Sequence, residues 1–442
     1  MLPNRRSITL ASLVLLAGFA LAQRDYEHVD PTGQTVVFWH QHGGVREAGL
    51  QEVVAAFNAG NPYDITVVAE FQGSYPEIFQ KMLLLAGTPD APNLVVAYQD
   101  QAAAYAFVDG VIDIRTFLDS ERWGFEPEDF ADFFPGFIAS DVNPVLGGQL
   151  LGFPPNRSVE VMYHNLDWIA ELGFDGPPTT PDAFEAQACA AAEHGFSGSV
   201  TGGRSLGYEL TLDASRFASW TFAFGGDVFD LETNRYTFDS EAAIAAMTFL
   251  QRLFERGCAD IVTERFGDQT NFGLGTTLFT VGSSSALPFY RDAVAAGAAF
   301  DWSVAAVPHT TAAPVSNVYG ASVSITAGHA PEAELATWLF VTYFTSTEAQ
   351  ADWARASNYF PVRASVAAGL GDYFAAEPAY EAAFALLPYG VSEPVAPGYA
   401  FVRGLVAAEM GAILEGADVV TSLRRVNDEA NRVLLDQLAD LD

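Results

Sequence analysis

The chain is short of positive charge: Lys81 is its one lysine, and 21 Lys and Arg stand against 55 Asp and Glu, for a formal charge of −34 over 442 residues. A surface so negative repels nucleic acid and anionic lipid headgroups, which excludes both as partners. Long apolar runs are missing beyond the first 22 residues; none reaches the roughly 18 residues that a membrane span requires. Enzyme signatures are missing too. There is no Gly-X-Ser-X-Gly elbow, no His-Glu-X-X-His and no P-loop, while Gly273-Leu274-Gly275 lacks a third glycine and reads as a turn. No cofactor is therefore expected. Acidic residues abound, but nothing in their spacing marks a pair for glycoside hydrolysis. Cysteine is scarce, and internal repeats and low-complexity tracts are absent.

What is present describes an exported globular protein. Half of the residues are hydrophobic and 17% charged, enough apolar surface for a core, and the length fits two compact units. Arg5 and Arg6, the apolar stretch 8–21 and the small residues of Ala20-Leu21-Ala22 form a signal peptide over 1–22, with a mature start near Gln23. Arg5-Arg6 followed by Ser7-Ile8 leaves twin-arginine export open beside the general route. A periplasmic or extracellular location follows, and in that oxidising setting Cys189 and Cys258 are expected to form a disulfide, with two buried thiols as the alternative.

The periodicity is that of an α/β chain. A β-rich run at 35–39, apolar residues at helical spacing in 47–58 (Leu50, Val53, Val54, Phe57) and a β-branched run at 65–69 make a βαβ unit. Ser74 is placed to cap a helix with Pro76 just inside it, running to about Ala86, and 93–98 reads as the next buried strand. Such alternation predicts mostly parallel sheets flanked by helices, with ligand at the carboxyl ends of the strands. Glycine and proline pairs at 147–148 and 154–155 mark a change of unit, 160–163 reads as a crossing strand, and strands at 300–307 and 318–326 come back late in the chain.

The order of these pieces resembles the extracellular solute-binding proteins of carbohydrate-type ABC importers. The resemblance is carried by Phe38-Trp39-His40 ending the first strand, Phe57-Asn58 with Asn61-Pro62 closing the first helix, Met162-Tyr163-His164-Asn165 followed by Leu172-Gly173-Phe174, and Ala321-Ser322 opening a late strand. Within that group the glycerol-3-phosphate-binding branch is nearest. The resemblance implies a two-lobed, Venus-flytrap periplasmic-binding-protein fold of type II. The lobes it implies are discontinuous, 34–142 with 304–346 and 143–303 with 347–442. It also implies a monomer that captures a small polar solute and delivers it to a permease in the cytoplasmic membrane.

Residues of that branch that contact ligand map onto this chain one by one. Gly73-Ser74-Tyr75 gives Tyr75 on the glycerol side, and Asn156-Arg157-Ser158 gives Ser158 as a phosphate-side donor. The serines 283–285 give Ser283 and Ser284 at a helix start, Gly320 precedes Ala321-Ser322, Tyr359 lies in the turn 358–361, and Arg403 matches the arginine near the C-terminal helices. Two departures concern the ligand. Where the branch has tyrosine-glutamate this chain has Tyr98-Gln99, so Gln99 can hydrogen-bond a hydroxyl but carries no charge. Where the branch has paired tryptophans in the cleft wall, 203–210 offers Tyr208 alone, and Trp220 matches a different tryptophan of the branch.

The chemistry has its own logic. An anionic ligand in so acidic a protein needs local compensation, which a helix N-terminus at Ser283 and Ser284 and a bidentate Arg403 would supply. The plainer alternative makes those serines a cap and Arg403 a surface ion-pair partner. Trp39 could stack on a sugar ring or finish the core. His40 and His42 put two rings on one strand face, but no third metal ligand follows at a usable spacing, so a rim or structural role is expected and no metal. Glycerol-3-phosphate or a glycerophosphodiester is the expected ligand, a neutral mono- or oligosaccharide the alternative, and a secreted glycan hydrolase or lyase the runner-up from another class.

Overall fold

The computed structural model describes residues 25–439, so the signal peptide expected over 1–22 lies outside the described residues. Two sheets organise the chain. The smaller has four strands in the order Ser322–Ile325, Leu94–Ala97, Thr35–His40, Thr66–Phe71; the last three run parallel and Ser322–Ile325 is antiparallel to its neighbour. In the larger the order is Ala259–Ile261, Leu206–Leu210, Thr277–Ser283, Ser158–Asn165, Ser316–Tyr319, Gly390–Val391, with Trp302–Ala305 also paired to Ser158–Asn165. Each sheet with its helices makes one lobe of an α/β protein, as the alternating periodicity predicts.

Local sequence explains the first lobe well. Along Thr35–His40 the residues Val36, Phe38 and His40 are buried, and the helix Val45–Gly60, packed against Thr66–Phe71, places Leu50, Val53, Val54 and Phe57 in the same core as Val36 and Phe38. Gly49 lets the helix Thr347–Ser357 close on this one, since a Cβ there would come within 2.5 Å of the Ala356 methyl. Ser74 and Glu77 form a reciprocal capping box at the start of Tyr75–Leu85, with Pro76 in its first turn. In the second lobe Ser158–Asn165 is buried along its whole length because strands flank it on both edges and helices cover it. The expected disulfide is present: Cys189, from the helix Pro181–Glu193, is bonded to Cys258 across 69 residues.

The sheets divide the chain at other points than the expected ranges. Trp302–Ala305 and Ser316–Tyr319 hydrogen-bond to Ser158–Asn165, which puts 302–319 in the larger sheet, and the chain changes sheet only at Gly320 and Ala321. Gly320 has φ +153°, a backbone value that residues with a side chain rarely adopt. The helix Thr347–Ser357 packs on Val45–Gly60, beside the smaller sheet. Pairing partners decide this, and strand propensity does not encode them. Among the described residues no helix is long and apolar enough to cross a membrane.

Candidate functional site

Between the lobes lies a cavity of about 690 Å³. The smaller-sheet lobe contributes Tyr75 and Phe79 from the helix Tyr75–Leu85, and Tyr98, Gln99 and Asp100 from the start of Gln99–Ala106. Facing them are Asp213 and Arg216 around the start of Ala214–Ala223, with Glu393, Tyr399, Phe401 and Arg403 from the C-terminal part of the chain. The position follows from the fold, because helices that leave the carboxyl ends of the strands begin at the crevice.

Three residues expected at a ligand site, Tyr75, Gln99 and Arg403, line this one cavity from opposite lobes. The Tyr75 hydroxyl accepts a hydrogen bond from Gln41 Nε2 at 2.7 Å, and its ring lies 4.7 Å from that of Tyr98. Burial pushes its pKa well above the usual phenol range, with the neighbouring Tyr359 adding to the shift, so its hydroxyl stays neutral. Gln99 points its amide nitrogen at Asp141 Oδ1 (3.1 Å), the Gly320 carbonyl (3.2 Å) and Ser322 Oγ (3.3 Å). Arg403 donates to Glu393, to Asp213 Oδ1 at 3.2 Å and to Ser215 Oγ at 3.0 Å. Burial alone would weaken its charge, but Glu393 and Asp213 outweigh burial and hold it firmly protonated.

Another group sits just behind the wall. Ser158 Oγ accepts from Ser283 Oγ at 3.1 Å and donates to the Tyr319 carbonyl, and Ser283 is also 2.9 Å from Ser285 Oγ. Ser284 is fully buried and its hydroxyl accepts from the Val159 amide, so it ties the turn after Thr277–Ser283 to the strand Ser158–Asn165. Gly320 presents its carbonyl to Gln99, and Tyr359 lies under the Arg46 guanidinium at 4.9 Å. Arg46, which sequence reasoning passed over, donates to the Ser285 and Ser357 carbonyls and so reaches from one lobe to the other.

The placements of Tyr208, Trp220 and Trp39 correct the sequence expectation. Tyr208 and Trp220 are fully buried in the second-lobe core, where Trp220 Nε1 donates to the Tyr208 hydroxyl at 3.1 Å and Phe184 packs on both rings. Leu206–Leu210 is buried on both faces, so its one aromatic is committed to packing. Trp39 is outside the cavity wall; it donates to Glu70 Oε2 at 3.0 Å and its ring faces Lys81. His40 and His42 are both buried beside the first strand, 6.0 Å apart ring to ring, and burial lowers His40 to about 4.

Electrostatics distinguish this cavity from a simple cationic pocket. Arg157 is buried and bound to Asp141 Oδ2 at 2.5 Å, Arg216 is bound to the buried Glu160, and Arg403 holds two carboxylates. Burial raises the Glu160 carboxyl, partly offset by Arg216. None of these ion pairs was visible from sequence spacing.

Comparison with known proteins agrees with this architecture. Residues 52–382 match the family described as bacterial extracellular solute-binding protein. The sn-glycerol-3-phosphate-binding periplasmic protein UgpB of Yersinia pseudotuberculosis is 22% identical over 334 residues, 74% of each chain. Among solved structures, UgpB from Mycobacterium tuberculosis in complex with glycerophosphocholine superposes with a TM-score of 0.77 at 22% identity, covering 92% of this chain and 99% of that one. The cyclic alpha-maltosyl-1,6-maltose binding protein of Arthrobacter globiformis gives 0.76 at 18% identity, covering 91% and 99%.

Proposed function

The chain belongs to the bacterial extracellular solute-binding proteins, and on that premise we propose that it is the substrate-binding component of an ABC importer. Its two lobes close on a glycerophosphodiester or glycerol-3-phosphate, and the closed, monomeric form docks on a membrane permease. The observation that carries this reading is the convergence of Tyr75 and Gln99 from one lobe with Arg403 from the other on a single cavity. A guanidinium has five N–H donors, and the bonds of Arg403 to Glu393, Asp213 and Ser215 occupy three. Two remain without a partner among the described residues and would serve phosphate oxygens. With two carboxylates already on Arg403, a singly charged diester suits the site better than a doubly charged monoester.

The pairing of every arginine in the cavity wall, with aromatic rings at Tyr75, Tyr98, Tyr399 and Phe401, favours one second reading, a neutral sugar. Titration calorimetry with glycerophosphocholine, glycerol-3-phosphate and maltotriose separates the two. On the first reading Arg403→Ala abolishes binding of the phosphate compounds; on the second it spares maltotriose. A wild-type protein that bound none of the three, and whose melting temperature none of them raised, would overturn the proposal.

A further inference from the structure

A second cavity, of about 670 Å³, lies on the smaller-sheet lobe and shares no lining residue with the solute cavity. The helix Val45–Gly60 leaves the carboxyl end of Thr35–His40 and runs back over the sheet, so its last turn and residues 61–65 sit at the far edge, away from the crevice. Phe57 forms part of the wall, and the half-buried rings of Tyr63, Phe125 and Tyr343 come from three other stretches of chain. The rings of Phe57 and Tyr343 are 5.3 Å apart. Asp129 and Glu348 are the acids of the wall, and Arg363 is its single cation.

These charges are uneven. Arg363 is buried and already held: it donates to Asp129 Oδ1 at 2.7 Å and to the Thr345 carbonyl, and its guanidinium lies 4.1 Å over the Phe133 ring. Glu348 pairs with no cation among the described residues, so two carboxylates against one guanidinium leave one negative charge. The helices Val45–Gly60 and Pro331–Phe344 both end at the cavity without a basic residue in their last turns, which adds two negative helix ends. Thr347–Ser357 begins there, but one positive end does not balance two negative ones. Burial raises the Tyr343 phenol, and Glu348 and Asp352 raise it further, so the negative potential reaches that ring.

We propose that this cavity is a second binding site, for a small organic cation of the alkylated ammonium type. Aromatic faces attract such an ion through their quadrupole, and its methyl groups tolerate apolar walls. A metal ion would not give up its water shell to rings, and among the described residues no three His, Cys, Asp or Glu gather to hold one. A protein of charge −34 also concentrates cations near its surface. The site stands apart from the solute cavity and does not depend on what that cavity binds.

Tetramethylammonium chloride, titrated against equal sodium chloride, tests this: its methyl proton NMR signal should broaden in the presence of the protein. Tyr343→Leu keeps a side chain in the wall but removes the ring face, and should weaken binding about 10-fold, within the range for a partly desolvated cation–π contact. Glu348→Gln should weaken it about 3-fold; the residue is exposed, so that loss cannot be put down to misfolding. Tyr98→Leu, in the solute cavity, should leave it unchanged. A signal that wild type does not broaden, binding that both Tyr343→Leu and Glu348→Gln leave intact, or binding lost with Tyr98→Leu overturns the site, and none of these outcomes bears on solute capture between the lobes.

Discussion

Asp100 makes stability and pH move together in a way that can be worked out beforehand. Its carboxyl ionises near 3.8 in an unfolded chain and at about 6 in the folded protein. That gap of about 2 pH units corresponds to about 3 kcal/mol. The sign follows from proton uptake: between about 4 and 6 the folded protein holds a proton that the unfolded chain has lost, so stability falls as pH rises through this window. Above about 6 the penalty is complete, and below about 4 it is gone. Asp100→Asn should therefore gain about 3 kcal/mol over wild type in alkaline buffer and nothing in acid. On a chain of this size that is roughly 3–4 °C in melting temperature. The assay is calorimetric melting of the unliganded protein and the variant from pH 4 to 8, read as the difference between them, since Glu160, Glu209 and Asp227 also have raised pKa values. A difference that stays flat with pH, or a variant less stable than wild type at pH 8, refutes the reasoning.

The buried pair Arg157–Asp141 should respond in the opposite sense. Arg157→Ala strands Asp141 without its cation and should cost about 3–5 kcal/mol in urea unfolding, most of it recovered when Asp141→Asn is added. Replacing Cys189 and Cys258 by serine should lower stability by about 4–5 kcal/mol in the chain-entropy picture, measured by the same unfolding. Arg46→Ala removes a contact between lobes, the bond to the Ser285 carbonyl and the stack between Phe289 and Tyr359; small-angle scattering should then show a larger radius of gyration in the unliganded variant than in wild type.

Local order was readable because it is made by neighbours in the chain. The βαβ opening, the helix capped by Ser74 with Pro76 inside it, and the strand ending at Ala97 all follow from periods and caps that span a few residues. Among the candidate site residues, Tyr75 and Gln99 sit at the ends of such elements, where a crevice must form, and they line it. Tyr208 shows the limit of this reasoning. A tyrosine in a short strand looks the same whether the strand's face meets the cavity or the core, and only the helices packed around Leu206–Leu210 settle which.

By itself, then, the amino-acid order determined the alternation of strands and helices, the acidic surface and the pair of cysteines able to bridge. Tertiary structure decided which sheet 302–319 joins and which carboxylate neutralises which arginine. Asp141 lies 16 residues from Arg157, Glu160 lies 56 from Arg216, and Asp213 lies 190 from Arg403. Ion pairs and strand partners at such separations are chosen by folding as a whole, because burial makes an unpaired charge or an open strand edge too costly to leave. Asp100, buried at the cavity wall, has no such side-chain partner among the described residues, and nothing in its own stretch of sequence distinguishes it from the acids that cover the surface.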